Sequence, residues 1–158
     1  MTLPRTHLLV VLVALLAAPA SAQTFDASSR GWYLHTGRHM ASNFNTYAGQ
    51  NGSGTDRYNA FFVFDLRGLT RPVGSGVLRL EIEAFFGPNT GERFTLYDVT
   101  TDVAQLVAGQ TVRTDIYQDL GSGAVYGAGR GRRLDVGKII EVPPTAAALA
   151  AINRAAGG

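Results

Sequence analysis

Two segments of the chain have the hydrophobic patterns of β-strands, and the patterns differ in the burial that they predict. From Val77 to Phe85, the apolar residues Leu78, Leu80 and Ile82 alternate with charged residues. Strict alternation is typical of a strand with one face in the core and the other in water. The segment Tyr58–Leu66 is apolar at both alternating sets of positions. This second pattern predicts a central strand that is covered from both sides.

Shorter elements are predicted between turn signals along the rest of the chain. Extended segments are expected at Gly31–His35, Asn43–Ala48, Arg93–Val99, Thr111–Tyr117, Ala124–Tyr126 and Ile139–Val142. Helical spacing and capping residues predict one or two helical turns in Thr101–Ala108, and a helix in Ala146–Ala155 that Thr145 caps. The chain has 19 glycines, which indicates frequent turns. These elements predict an all-β fold, a single β-sandwich of jelly-roll type with one or two short helical inserts.

The first 22 residues have the pattern of an export signal. Arg5 precedes an unbroken apolar run, Leu8–Ala18, and the small residues Ala20 and Ala22 form a cleavage site of the A-x-A type. The apolar run is shorter than the roughly 20 residues that a membrane-spanning helix requires. We therefore expect residues 1–22 to be cleaved near Ala22, and residues 23–158 to form one secreted, periplasmic or extracellular domain with no membrane segment.

Composition excludes some classes of function. The chain has no cysteine, which excludes a thiol nucleophile, a thiolate metal site and a disulfide framework. Its 14 basic and 12 acidic residues give a net charge of +2. A protein that binds nucleic acid by neutralising phosphates normally has a clear basic excess, so no nucleic-acid partner is expected.

Several motifs together resemble a known family. The segments Gly31–Tyr33, Phe61–Leu66 (FFVFDL), Thr95–Thr100 (TLYDVT) and Asp119–Gly123 are similar to those of a family of uncharacterised secreted bacterial proteins, whose members often carry a C-terminal PEP-type sorting segment. The resemblance implies export and a β-sandwich, and it supplies no catalytic residue. In such relatives a further strand would follow the last helix. We therefore expect the domain at residues 23–158 either to lack its C-terminal strand or to have an open sheet edge that accepts a strand from a neighbouring chain.

The chain contains one histidine pair and one glutamate pair whose spacing resembles that of metal-binding or catalytic groups. His35 and His39 are four residues apart, but Gly37 lies between them in a segment with a strand and turn pattern, so the helical geometry of a metal pair is not expected. Glu81 and Glu83 share one strand face at a spacing of roughly 6 to 7 Å between Cα atoms. That spacing is compatible with a glycosidase pair, although solvated side chains beside Arg79 are the simpler interpretation.

Three aspartates at the ends of predicted strands are candidate ligands for a metal cation. Asp65, Asp98 and Asp102 offer oxygen ligands of the kind that Ca²⁺ prefers, but the chain has no EF-hand loop pattern. Capping of turns and of the following helix is the alternative interpretation. No catalytic residue, metal site or cofactor is predicted, and Ca²⁺ is kept as the one alternative.

Five residues are candidates for glycan contact. Trp32 and Tyr33 could form an aromatic platform for sugar rings, with core packing of Trp32 as the alternative. The three arginines Arg130, Arg132 and Arg133 lie in a glycine-rich segment that predicts a flexible loop, where they could contact an anionic polysaccharide or simply be solvated.

These observations favour a non-catalytic secreted domain that is associated with extracellular matrix, envelope or polysaccharide. One alternative is a hydrolase or lyase that acts on polysaccharide through Glu81, Glu83, His35 or His39. Another alternative is an assembly subunit that uses an open sheet edge.

Overall fold

The structure, a computed structural model, describes residues 22–51, 53–87, 89–109 and 111–156. The predicted signal segment, residues 1–21, lies outside the described residues. Seven strands, three α-helices and a single turn of 3₁₀ helix follow one another along the described part of the chain. They are β1 (Ala27–Leu34), β2 (Gly49–Gln50), β3 (Arg57–Phe64), β4 (Leu78–Glu81), β5 (Gly91–Tyr97), α1 (Val103–Val107), α2 (Thr114–Asp119), β6 (Val125–Arg132), the 3₁₀ turn (Arg133–Asp135), β7 (Ile139–Val142) and α3 (Ala146–Ala156).

The apolar strand β3 is the middle strand of a three-stranded antiparallel sheet with the order β1-β3-β2. The register places Tyr33 opposite Asn59 and Trp32 opposite Ala60. Because successive residues of a strand point to opposite faces, Tyr33 and Trp32 lie on different faces of this sheet. The central position predicted for Tyr58–Leu66 is confirmed, but the cover expected on both faces is not complete, because Phe62 is only half-buried and Phe64 is exposed.

The main core lies on the Tyr33 face of this sheet. Tyr33 and Phe61 pack there with Leu106 of α1, Ile116 of α2 and Leu120. The Tyr33 hydroxyl donates a hydrogen bond to the Leu106 carbonyl over 3.0 Å, which fastens α1 to β1. Burial raises the pKa of this hydroxyl.

The other four strands form two antiparallel pairs, β4 with β7 and β5 with β6. The two pairs meet along β6 and β7. A Cβ atom on Gly127 would lie only 3.1 Å from Cγ1 of Val142, so a glycine at this position permits the close approach. Thr145 caps α3 by accepting a hydrogen bond from the Ala148 backbone over 3.3 Å.

Three predicted segments differ from the structure. Thr111–Tyr117 was expected as a strand, but α2 begins at Thr114, and its helical spacing places Ile116 and Leu120 together in the core. Asn43–Ala48 has no strand, and the short β2 follows it. The glycine- and arginine-rich segment was expected as a loop and is instead the eight-residue strand β6.

The described part of the chain is thus largely β, with three short α-helices. Its seven strands are divided among three small sheets of three, two and two strands.

Candidate functional site

The most distinctive polar surface is one face of the β5–β6 pair. The register places Arg93 directly opposite Arg130, and Arg132 opposite Gly91. Since directly paired residues share a face, and residues two apart on a strand do as well, Arg93, Arg130 and Arg132 lie on the same face. All three are exposed. We call these three residues the arginine face.

The glycines of β6 explain why this segment is a strand. Gly127, Gly129 and Gly131 alternate with Ala128, Arg130 and Arg132 and lie on the opposite face of the pair. On that face the Phe94 ring covers Gly129 so closely that a Cβ atom there would lie 2.5 Å from the ring carbon Cζ. Packing of neighbouring apolar side chains over the glycines therefore overrides their weak strand propensity.

Two arginine side chains of the face converge over a glycine on the partner strand. A Cβ atom on Gly91 would lie 3.0 Å from Nε of Arg130 and 3.0 Å from Cγ of Arg132. Thr95 and Ala128 are also on this face. An open depression of about 470 Å³ at this part of the strand pair is lined by Arg93, Phe94, Thr95, Ala128, Gly129 and Arg130.

The third predicted arginine, Arg133, is placed differently. Its guanidinium carbon lies 5.6 Å from the centre of the Phe85 ring, and its Nη2 donates to the Gly87 carbonyl. Arg133 therefore ties the 3₁₀ turn to the segment before β5, and Arg93 takes the place beside Arg130 and Arg132.

The predicted aromatic contacts, Trp32 and Tyr33, are both buried. Trp32 is 7% exposed and packs edge-on against Tyr47 and Tyr58, while Tyr33 is 0% exposed. Neither ring offers an open face for stacking on a sugar. The indole Nε1 of Trp32 is buried and has no hydrogen-bond partner among the described residues.

The two histidines have separate structural contacts. His39 is 8% exposed, stacks on Tyr33 with 4.6 Å between ring centres, and its Nδ1 lies 2.8 Å from the Trp32 carbonyl. Because a carbonyl only accepts, Nδ1 carries the proton and donates. His35 is exposed, and its Nδ1 accepts from the Arg57 backbone N–H over 3.3 Å. His39 therefore stabilises the core, and His35 stabilises the end of a strand.

Aspartates at the strand ends fix turns. Asp102 caps α1 by accepting from the Ala104 backbone over 2.9 Å, as the capping interpretation predicted. Asp119 accepts from the backbone N–H and the side-chain hydroxyl of both Thr100 and Thr101. Burial acts to raise the pKa of Asp119, but these four hydrogen bonds outweigh it and hold the pKa below its usual value.

The other carboxylates of the sequence hypotheses also have individual settings. Asp98 accepts a hydrogen bond from the Tyr126 hydroxyl over 2.7 Å. Burial, followed by this hydrogen bond, raises the pKa of Tyr126. Glu81 is exposed on β4 opposite Ile139, and Glu83 is exposed just after that strand. In the described residues, no three histidine or acidic side chains are grouped in a way that would hold a metal ion.

A large open cleft is lined by residues of all three sheets and of the segments around them, and its lining is more apolar than polar. Phe62 and Phe64 of β3, Leu80 of β4 and Leu96 of β5 are among the apolar residues that line it. Its volume is about 4380 Å³, several times that of an ordinary small-molecule pocket. We call this space the apolar cleft.

Across the parts of the chain that the structure describes, no helix combines the length and apolar character needed to cross a bilayer. Comparison of the chain with known protein families, with curated proteins and with solved structures finds no match.

Sequence reasoning found two of the three residues of the arginine face. It missed Arg93, because 37 residues separate Arg93 from Arg130 along the chain and only the strand register brings them together. Alternation of Gly and Arg from Gly127 to Arg132 was the available signal, since a period of two is typical of a strand.

Proposed function

We propose that the protein is a secreted, non-catalytic domain that acts by binding an extracellular polysaccharide. The observation that carries this proposal is the arginine face, where three exposed side chains with many hydrogen-bond donors are held on a strand pair. Binding sites that are built on strands hold their side chains more firmly than sites on loops. The sequence resemblance to secreted bacterial proteins points in the same direction.

The contacts of the histidines and aspartates support a role without catalysis. His39 is bonded to the Trp32 carbonyl, and Asp102 and Asp119 accept hydrogen bonds from the backbone of neighbouring turns. General acid–base catalysis requires such groups within hydrogen-bond reach of a substrate. Here the same groups stabilise the fold.

Affinity electrophoresis of the purified chain in gels that contain neutral or acidic polysaccharides tests the proposal. Retardation in at least one polysaccharide gel, with no release of sugar over time, is the expected result. Unchanged mobility in every gel, or polysaccharide cleavage that Glu81→Gln or His39→Ala abolishes, would overturn it.

Export is part of the same proposal. The chain made in a bacterial host with an intact secretion system should appear outside the cytoplasm with Gln23 at its N-terminus, because cleavage is expected after Ala22. Recovery of cytoplasmic protein that retains residues 1–22 would contradict export.

We further propose that the three sheets belong to one two-layered sandwich of jelly-roll type. The close contact between Gly127 of β6 and Val142 of β7 supports a common layer for the two strand pairs. Interlayer nuclear Overhauser effects between β3 and the β4 and β5 strands are expected. Absence of nuclear Overhauser effects between these strands would contradict the arrangement.

The open edges of the two strand pairs favour a second candidate, an assembly subunit that accepts a strand from a neighbouring chain. Within the described residues, β4 pairs only with β7 and β5 only with β6, so each has one edge without a strand partner. Such edges accept strands through main-chain hydrogen bonds. Sedimentation should then show association that increases with concentration, whereas a monomer at all concentrations would oppose this candidate.

A further inference from the structure

We infer that the arginine face binds acidic polysaccharide, a linear chain of sugars that carries carboxylate or sulfate groups. This inference rests on the proposed function and adds to it the charge class of the ligand and the residues that recognise it. Three features carry the argument: the geometry of the three guanidiniums, their lack of acidic partners, and the shape of the surface between them.

The geometry concentrates positive charge on a small area. Arg93 and Arg130 are direct cross-strand neighbours, with Cα atoms about 4.5 to 5.5 Å apart in such pairs. Arg132 follows two residues later, about 6 to 7 Å further along the strand. Like charges at directly opposite positions are destabilising. This face therefore carries a cost in folding that a bound polyanion would relieve.

Three arginines in the described part of the chain have acidic partners, whereas the arginines of the arginine face, like most of the others, have none. The ion pairs within the described residues are Arg67 with Asp65 at 2.5 Å, Arg113 with Asp115 at 2.7 Å, and Arg79 with Glu141 at 3.6 Å.

Two carboxylates lie close to the arginine face in sequence, but each is used elsewhere. Glu92 is on the opposite face of β5 and accepts a hydrogen bond from Asn89 over 2.5 Å. Asp135 accepts from the backbone N–H of Arg132, not from its guanidinium. The three guanidiniums thus stay without a carboxylate partner among the described residues.

The surface between the arginines suits a sugar chain. Guanidinium groups form paired hydrogen bonds with planar carboxylates and with sulfate oxygens. Thr95 and Ala128 are small residues next to Arg93 and Arg130 on the same face, and the depression that these four residues help to line is open to solvent. A linear polymer can therefore lie across the face and present successive acidic groups to successive arginines.

The same surface is less suited to nucleic acid. Proteins that bind single-stranded DNA or RNA combine basic grooves with aromatic side chains on which bases stack. The residues that share this face with the arginines include Gly91, Thr95 and Ala128, and also Tyr97, two positions beyond Thr95 at the end of β5. Tyr97 is half-buried, and one aromatic side chain at the end of the strand does not make the row of stacking platforms that a nucleic-acid strand uses. The net charge of +2 also lacks the broad basic excess of a nucleic-acid-binding domain.

Three forms of one polymer test the inference: dextran, carboxymethyl dextran and dextran sulfate. Binding of the full chain to each is measured by biolayer interferometry at low ionic strength and at about 0.15 M, where screening extends over about 8 Å. We expect binding to one or both acidic forms, weak binding to unmodified dextran, and weaker binding at the higher salt. The two acidic forms distinguish carboxylate from sulfate as the recognised group.

Variants assign the binding to the arginine face. Arg93→Gln and Arg130→Gln should each weaken binding to the acidic polymer by about tenfold, the equivalent of one charge-assisted hydrogen-bonded contact. Arg71→Gln removes the same charge from an exposed loop away from β5 and β6 and should leave affinity unchanged. Arg93→Lys should fall between wild type and Arg93→Gln, because lysine keeps the charge but loses the paired geometry. Circular dichroism checks that each variant is folded.

The outcomes separate this inference from the proposed function. Two results would overturn the role of the arginine face but leave the proposal of polysaccharide binding intact. One is equal binding of neutral and acidic dextran. The other is binding of acidic dextran that Arg93→Gln and Arg130→Gln leave unchanged. Absence of binding to these polymers and to every polysaccharide in the electrophoresis panel would overturn both. Single-stranded DNA that binds as tightly as the acidic polymer would overturn the assignment to polysaccharide.

Discussion

The three-stranded sheet and the β5–β6 pair differ in what covers their faces. On the Tyr33 face of β1 and β3, aromatic and aliphatic side chains are covered by α1 and α2, and Ile116 is 1% exposed. On the arginine face of β5 and β6, charged side chains extend into water above a two-stranded pair. The first face contributes the stability of the fold, and the second contributes little to it.

This difference separates the residues that keep the chain folded from those that we propose bind a ligand. Hydrophobic burial dominates folding energies, whereas exposed charges contribute little. Substitutions in the helix-covered core should therefore affect stability, and substitutions on the arginine face should affect binding. The predictions below test this separation, beginning with the largest effect.

Ile116→Ala should reduce the free energy of unfolding by about 2 to 5 kcal/mol, because it leaves a cavity between α2 and the sheet. Urea denaturation followed by circular dichroism measures the change. Ile139→Ala is the matched control on β7, where the side chain is 51% exposed, and it should cost less than about 1 kcal/mol. Equal losses for the two variants would mean that the core is not concentrated under the helices.

Gly129→Ala should destabilise the β5–β6 pair by about 1 to 3 kcal/mol, since the Phe94 ring must move away from the new methyl group. Gly131→Ala is the control on the same face of the strand. A Cβ atom there would lie 3.8 Å from Cδ1 of Ile82, an ordinary contact. The control should be neutral or slightly more stable in thermal unfolding, and a larger loss for Gly131→Ala would contradict the packing described for Phe94.

Asp119→Asn should cost about 1 kcal/mol near neutral pH, because it weakens four hydrogen bonds to a charged acceptor. The pKa of Asp119 is lower in the folded chain than its usual 3.8. The ionised carboxylate therefore stabilises the fold fully above that value, and the contribution fades as the pH falls below it. The difference in unfolding free energy between wild type and variant should shrink in acid, and a constant difference would contradict the prediction.

Arg93→Glu should stabilise the fold slightly, by about 0.2 to 1 kcal/mol, because it replaces a like-charged cross-strand pair with an opposite one. The same variant should lose binding to acidic dextran. Thermal unfolding and interferometry on one preparation measure both effects. A gain in stability together with retained binding would show that the ligand binds elsewhere than at the arginine face.

Patterns of hydrophobicity predicted much of this arrangement. The central position of β3 and the capped helices α1 and α3 were predicted, because their signals are local in the sequence. The strand predicted for Thr111–Tyr117 was wrong. Strands and helices both accept residues of the types found at Val112, Ile116 and Tyr117, so composition alone did not distinguish the two structures. The contact of Ile116 with the core requires the helix.

The candidate site was predictable only in part. Arg130 and Arg132 stand out as charged residues in a glycine-rich segment, but their common face depends on the strand conformation of β6. Arg93 joins them through a register that follows from the packing of Phe94 over Gly129 and of Leu96 against Gly127. Such packing is a property of the folded chain and has no signature in the sequence of β5 alone.

The burial of Trp32 has a practical consequence. It is the sole tryptophan of the chain and lies against Tyr47 and Tyr58, far along the sequence from β5 and β6. Its fluorescence will therefore report on the opening of the three-stranded sheet, while ligands at the arginine face should leave the emission wavelength unchanged. The fluorescence of Trp32 therefore allows unfolding to be followed separately from ligand binding, without an added label.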